Sequence, residues 1–222
     1  MLIDGSPVLP PDELDGLVRR DGQFDDNPLR AGLRFFFRPG ARRHLAAEIR
    51  AQFEVFRATG LVLDHVNAHK HMHLHPTVAR LIVKIGRDYG LRAVRLPAEP
   101  TAPLRRAFPG ERLPMPPPGF AVAALRRLLR RAGLAANDHV FGIAWSGAMT
   151  EDRVLALLPC LPNGVSEIYF HPAAEMTPAL RADMPSYRPT EELATLVSPL
   201  VRRRIEELGI RLVGYGDLTP AG

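Results

Sequence analysis

The chain has 222 residues, of which 46% are hydrophobic, and a formal net charge of +5 at pH 7. This size is typical of a globular protein with one sizeable core, and no run of about 18 apolar residues indicates a membrane-spanning helix. Cys160 is the only cysteine and excludes an intrachain disulfide, and the amino terminus lacks the pattern of a signal peptide, so we expect a cytoplasmic protein. The positive charge permits phosphate, nucleic acid or an anionic membrane as a partner and does not choose among them.

Helices and short apolar segments alternate along the chain. Apolar residues spaced near 3.6 positions predict helices around 45–56 and 78–85. Glycines that can adopt the left-handed conformation end four helical stretches, at Gly60, Gly90, Gly133 and Gly209. Short strands are predicted near 61–66, 91–96, 139–145, 165–170 and 210–215. This alternation predicts an α/β fold with a parallel sheet, either open and doubly wound or closed into a barrel.

Two regions lack this alternation. Residues 97–119 contain eight prolines, which remove backbone donors, so they are predicted to form a long surface loop. The first forty residues are similarly irregular. Each region is interpreted either as a lid over a site or as a solvated loop.

Histidines are concentrated in the segment HVNAHKHMHLH at 65–75, which holds five of the eight in the chain. In an extended strand, His65, Asn67 and His69 point to one face, and His69 lies at the carboxyl end, where parallel α/β folds place reactive groups. Imidazole is a common ligand for zinc, but alternate positions in a strand are roughly 6.5 to 7 Å apart. The spacing therefore predicts that one or two of these histidines bind a metal, with other ligands elsewhere.

Three further residues lie at predicted strand ends. His171 follows the strand EIYF and precedes Pro172, where an imidazole could act as a general acid or base or could bond a loop carbonyl. Arg95 could bind an oxygen-rich substrate or form a structural ion pair, and Asp217 occupies an equivalent position.

Other enzyme classes are not indicated by the motifs. Ser146 follows a predicted strand, but its neighbours do not satisfy Gly-x-Ser-x-Gly, and no phosphate-binding glycine loop is present. The basic stretch LRRLLRRAG at 125–133 fits a solvated helix face better than a membrane-bound one.

Several segments resemble one known family: HVNAHKHMHLHP with the following helix and VRLP, FGIAWSGAMT at 141–150, EIYFHPA at 167–173, and MPSYR at 184–188. Together they cover nearly the whole chain and resemble the YdjC/ChbG family of carbohydrate deacetylases. The match is most similar to the HpnK-like branch, which is associated with hopanoid biosynthesis.

The resemblance implies a single domain over 1–222 with a barrel-like β/α fold and a metal-dependent amide hydrolase that deacetylates N-acetylated amino sugars. It implies one divalent ion, magnesium or zinc, held by an Asp and two His, with His69 as one ligand. It implies His171 as the proton donor to the leaving amine and Arg95 as a residue of the sugar-binding cleft.

For the hopanoid branch the implied substrate is an N-acetylglucosaminyl hopanoid. This lipid-linked sugar would bring the protein to the inner face of the membrane as a peripheral contact, and no nucleic-acid partner is expected.

The sequence departs from the family at its opening. The Asp-Asp-Phe-Gly and Gly-x-His motifs are not found, and MLIDGSPVLPPDEL resembles the segment that follows the second of them. Asn67 also replaces an Asp that many members carry. We therefore expect the first barrel strands to be missing, metal binding to be weak and activity to be low, as for a gene fragment or a misplaced start codon.

Alternatives to an enzyme follow from these departures. An exposed sheet edge leaves a homo-oligomer open. The fold could also belong to a non-catalytic protein that binds a glycolipid or a partner, or the histidines could buffer several metal ions per chain.

Overall fold

A computed structural model describes residues 5–219. Residues 1–4, on which the expectation of no signal peptide partly rests, lie outside the described residues. The α-helices of this region are α1 Pro28–Phe37, α2 Pro39–Ala58, α3 Pro76–Gly86, α4 Thr101–Ala107, α5 Gly119–Arg131, α6 Glu151–Leu157, α7 Pro178–Asp183, α8 Pro189–Leu196 and α9 Pro199–Glu207. The strands are β1 His139–Phe141 and β2 Ser166–Ile168. Most of these helices begin at a proline, whose fixed φ and missing N–H suit the first helical position.

The chain divides into two compact units. The first unit comprises Met1–Leu96, Gly119–Ala136 and Gly214–Gly222, and the second comprises Pro97–Pro118 and Asn137–Val213. The prediction of one domain over 1–222 stays a prediction.

The first unit is a helical layer beside extended segments that pair in parallel. The α2 and α3 helices pack on each other, and α3 also packs on α5. Their facing side chains form the core, which includes Leu45, Ile49, Phe53, Val78, Ile82, Leu125 and Leu129. The backbone pairs in parallel at single bridges, Val66 with Val94 and Ala93 with Ala135. The two predicted helices of this unit are confirmed.

The second unit is built around a two-stranded parallel sheet. Strands β1 and β2 pair with His139 opposite Ser166 and Phe141 opposite Ile168. The buried core contains Leu104, Phe141, Trp145, Met149, Val154, Leu157, Leu158 and Val201. Across both units the structure confirms a mostly helical α/β fold with a small parallel sheet.

Some predicted strands are shorter than expected. Segments 61–66 and 91–96 are extended but pair only at the bridges, and β1 ends at Phe141 instead of continuing to 145. The reason at β1 is Glu99, whose buried carboxylate accepts the N–H groups of residues 142–144. The prediction of a strand at 210–215 is wrong, because the described backbone there forms no strand and Leu212 is exposed.

The two regions predicted to be irregular contain helices. The α4 helix lies inside the proline-rich segment 97–119, so the prediction of a loop is wrong for residues 101–107. Pro103 falls in the first turn of α4, where a missing N–H breaks no helical hydrogen bond. The first forty residues likewise include α1.

Candidate active site

The histidine-rich segment changes direction at His69. The backbone is extended at Ala68 and then turns through a 3₁₀ segment, His69–Leu74. Lys70 and His71 have φ angles of 49° and 54°, a left-handed conformation that costs a residue with a Cβ roughly 1 to 2 kcal/mol. Because two adjacent residues adopt it, the histidine side chains point in other directions than they would in a continuous strand. His69 lies exposed at the start of this turn.

Two of the clustered histidines, His65 and His75, hold the surrounding structure together. His65 donates from Nδ1 to Asp64 Oδ2 at 2.9 Å and stacks on Tyr215, with ring centroids 4.0 Å apart. His75 caps α3, because its Nδ1 accepts the N–H of Thr77 at 3.3 Å. Burial lowers the pKa of His75, against a hydrogen bond from its ring to the backbone of Gly32, which raises that pKa. Both histidines therefore make contacts that hold the local structure.

His73 fixes the backbone of Arg95. Its buried ring donates from Nε2 to the Arg95 carbonyl at 2.9 Å. Burial, and then the neighbouring His71, lower the pKa of His73 to about 3, so its imidazole is neutral at physiological pH. Its Nδ1 is buried and has no hydrogen-bond partner in the described part of the chain.

In the first unit, Arg95 lies in one of two paired extended segments, and His69 begins the turn that follows the other. The Arg95 N–H donates to Val66 at 3.0 Å, beside the bridge of Val66 with Val94. His69 follows Val66 and Arg95 follows Val94, so both residues lie beyond the bridge toward the carboxyl ends. Two of the three sequence-predicted residues therefore follow the same parallel bridge, and their roles stay predictions.

The described donors do not complete a metal site. Within residues 5–219 there is no group of three or more His, Cys, Asp or Glu side chains that could hold an ion. A catalytic zinc site usually needs three protein ligands and an open position. His69 is exposed and could bind an ion, but the described side chains around it do not supply the further ligands that a resident metal needs.

The second unit builds a separate set of contacts around His171. The backbone N–H of His171 donates to Glu192, whose other oxygen accepts the N–H of Met149 at 2.9 Å. Glu192 is completely buried, so its carboxylate ties two loops together at a fixed separation. This residue carries no sequence signal, and its role is visible only in the fold.

Two tyrosines contact the His171 ring edge-on. The ring centroids lie 5.5 Å from Tyr169 and 5.1 Å from Tyr187. The Tyr187 hydroxyl is 2.8 Å from Ser146 Oγ, and its ring lies against Gly147 so closely that a Cβ there would be 2.1 Å from it. The stretches WSGAM, EIYFHPA and MPSYR, distant in sequence, therefore meet at His171. Tyr187 could be suspected from MPSYR, whereas its pairing with Ser146 could not.

The loop before Ser146 is held by a buried acid. Glu99 accepts N–H groups from Gly142 and Ile143, each at 2.9 Å, and from Ala144 at 2.7 Å. Burial raises the pKa of Glu99, while these three donors act in the opposite direction. The acid thus fixes the turn that carries Trp145, Ser146 and Gly147.

The chain is similar in sequence to several known proteins. The family model described as YdjC-like protein matches residues 1–207. A carbohydrate deacetylase of Geobacillus stearothermophilus is 28% identical over 180 residues, covering 80% of this chain and 61% of the relative. Carbohydrate deacetylases of Mus musculus and Homo sapiens are 28% and 27% identical, each over 77% of this chain. The chain spans about three fifths of the length of these curated relatives.

Proposed function

The chain belongs to the YdjC-like protein family, and from this premise we propose that the whole protein hydrolyses the N-acetyl amide of an amino sugar. The observation that carries the proposal is the meeting of three separate stretches at His171, with Tyr187 against the ring and Glu192 on the backbone. The relatives named carbohydrate deacetylase support the same chemistry. The barrel-like arrangement implied by the resemblance is part of this proposal, supported by the parallel pairing in both units.

In this proposal His171 supplies the proton for the leaving group. Hydrolysis adds water across the C–N bond, so the carbon gains a hydroxyl and the nitrogen must take a proton to leave as an amine. The backbone of His171 is fixed by Glu192, and its ring is flanked by Tyr169 and Tyr187. Arg95, whose backbone is held by His73 and Val66, is assigned to binding sugar oxygens.

The proposed substrate is an N-acetylglucosaminyl hopanoid, and the proposed location is the cytoplasmic face of a membrane. A basic surface supports this part of the proposal: in α5 Leu125 and Leu129 are buried while Arg127, Arg130 and Arg131 are exposed. Arginine side chains on one helix can contact anionic headgroups. Among residues 5–219 no helix is both long and apolar enough to cross a bilayer.

We also propose one divalent ion, magnesium or zinc, with His69 as a ligand. Since the described residues offer no group of three donors, binding by this chain is expected to be weak and turnover slow. The same observation favours a second candidate, a non-catalytic protein that keeps the fold and binds the glycolipid or a partner.

Acetate release from N-acetylglucosamine and from the glycolipid, with added magnesium or zinc, tests the proposal. His171→Ala should slow release at least 100-fold without changing sugar affinity or metal content, because proton transfer typically contributes this much. His69→Ala should lower both metal content and acetate release. The control His44→Ala removes an imidazole outside the predicted site residues, one that donates to the Asp15 carbonyl at 2.8 Å.

The outcomes separate the two candidates. An unchanged rate in His171→Ala contradicts the assigned proton donor. Sugar binding by the wild-type chain, with no acetate released at any metal concentration, supports the non-catalytic candidate instead.

A further inference from the structure

A small apolar cavity lies beside His171 in the second unit. Its volume is about 150 Å³. The lining residues are His171, Pro172, Ala173, Met176, Leu180, Met184, Tyr187 and Pro189. Among these residues only His171 and Tyr187 have polar side chains, and the other side chains are apolar.

The walls of the cavity are fixed by local structure on both sides. On one side Leu180 lies in α7, and Met176 and Met184 flank the two ends of that helix. The first turn of α7 is capped by Thr177, which accepts the Leu180 N–H at 3.2 Å. On the other side Tyr187 is fixed by Ser146 and Gly147. The Ala173 N–H donates to Pro189 at 3.2 Å and closes the wall between these sides.

We propose that this cavity binds the alkyl part of the substrate's N-acyl group, an inference that rests on the proposed function. If His171 protonates the leaving nitrogen, the acyl carbon is bonded to that same nitrogen, and its alkyl part lies within a few bonds of the imidazole. The hydroxyls of a sugar would find few partners on an apolar wall, whereas an alkyl group needs none.

The size of the cavity extends the inference to acyl-chain length. A cavity of about 150 Å³ can hold a molecule as large as benzene. The methyl group of an acetyl fills only part of such a space, so the site accepts longer N-acyl groups, such as propionyl and butyryl. Each added methylene should tighten binding about fourfold until the cavity is full.

Methyl NMR of the full chain with labelled methionines tests this assignment. N-acetyl-, N-propionyl- and N-butyrylglucosamine should shift the signals of Met176 and Met184, and glucosamine without an acyl group should not. Met115 is 91% exposed and does not line the cavity, so its signal is the internal control. Leu180→Phe should occupy the cavity and abolish the preference for butyryl, whereas Arg181→Ala, on the exposed side of α7, should keep it.

Three results would overturn the assignment of the cavity. Unmoved Met176 and Met184 signals at saturating N-butyrylglucosamine, equal shifts with glucosamine, or a Kd independent of chain length would each refute it. The proposed function is tested separately by acetate release. Methyl shifts without acetate release would refute the function alone, and acetate release without methyl shifts would refute the cavity assignment alone.

Discussion

The histidines of the 65–75 segment differ in role although they are close in sequence. His73 is buried against the Arg95 carbonyl, His75 caps a helix, and His69 lies exposed at the start of the 3₁₀ segment. Strand spacing predicts that one or two of them bind a metal, and this stays a prediction. The sequence could not predict which are structural, because burial of His73 depends on Arg95, which lies 22 residues away.

The buried His73 should make stability fall in acid. Its folded pKa of about 3 lies below the ordinary value of 6.5, so between these values the unfolded chain binds a proton that the folded chain does not. The free energy of unfolding should therefore fall as pH decreases from 6.5 to 3, by up to about 1.4 kcal/mol per pH unit from this residue. His73→Gln keeps a donor for the Arg95 carbonyl and removes the titration, so urea unfolding across this range should show a smaller slope. Equal slopes for the two proteins would contradict the assignment.

Gly147 is required by the close approach of Tyr187. An added Cβ would lie 2.1 Å from that ring, and the φ of 74° is also unfavourable for alanine. Gly147→Ala should lower the free energy of unfolding by about 3 kcal/mol, through both overpacking and backbone strain. Gly209→Ala is the matched control in the same unit, since its φ is 64° and nothing lies within 4 Å of the added Cβ. Its cost should be only about 1 kcal/mol, and equal losses in urea unfolding would exclude a role for the Tyr187 contact.

At the scale of elements, the helices were predictable and the strands only in part. The apolar spacing that predicted α2 and α3 is local, so it survives in any fold that buries one helix face. Strand length depends on partners: β1 stops where Glu99, 43 positions from Gly142, takes the next N–H groups. The number of prolines led to the wrong prediction of a loop at α4, because a proline in the first turn is compatible with a helix. The contacts of Glu192 and Tyr187 with His171 were likewise beyond local patterns.

Glycine substitutions in the left-handed turn after His69 and in a regular helix should change the free energy of unfolding in opposite directions. Lys70→Gly should raise the free energy of unfolding by up to about 1 kcal/mol, because relief of a φ of 49° outweighs the extra freedom of glycine in the unfolded chain. Lys84→Gly, on the exposed face of α3, should lower it by about 1 kcal/mol, since glycine is a poor helix former. Thermal or urea unfolding of both variants measures the signs. A loss at Lys70 as large as at Lys84 would show that the turn is not strained.

At the scale of the whole molecule, the two units are formed from interleaved segments of the chain. The first unit consists of three separate segments and the second of two, so the chain passes between them at 96/97, 118/119, 136/137 and 213/214. Neither unit is a continuous stretch. Unfolding of one unit would leave the segments of the other joined only through long disordered loops, which adds a closure cost to the remaining structure. We therefore expect the units to unfold together.

Trp145 allows this expectation to be measured. It is the only tryptophan and lies in the core of the second unit, whereas Leu129 is buried in the first. Leu129→Ala should cost about 2 to 5 kcal/mol, and for coupled units it should lower the Tm seen by tryptophan fluorescence by roughly 5 to 15 °C, equal to the shift seen by circular dichroism. Leu61→Ala, at a position 68% exposed in the same unit, should change neither. A fluorescence Tm that stays constant while circular dichroism shows an earlier transition would mean that the second unit folds independently, despite the interleaved order of its segments.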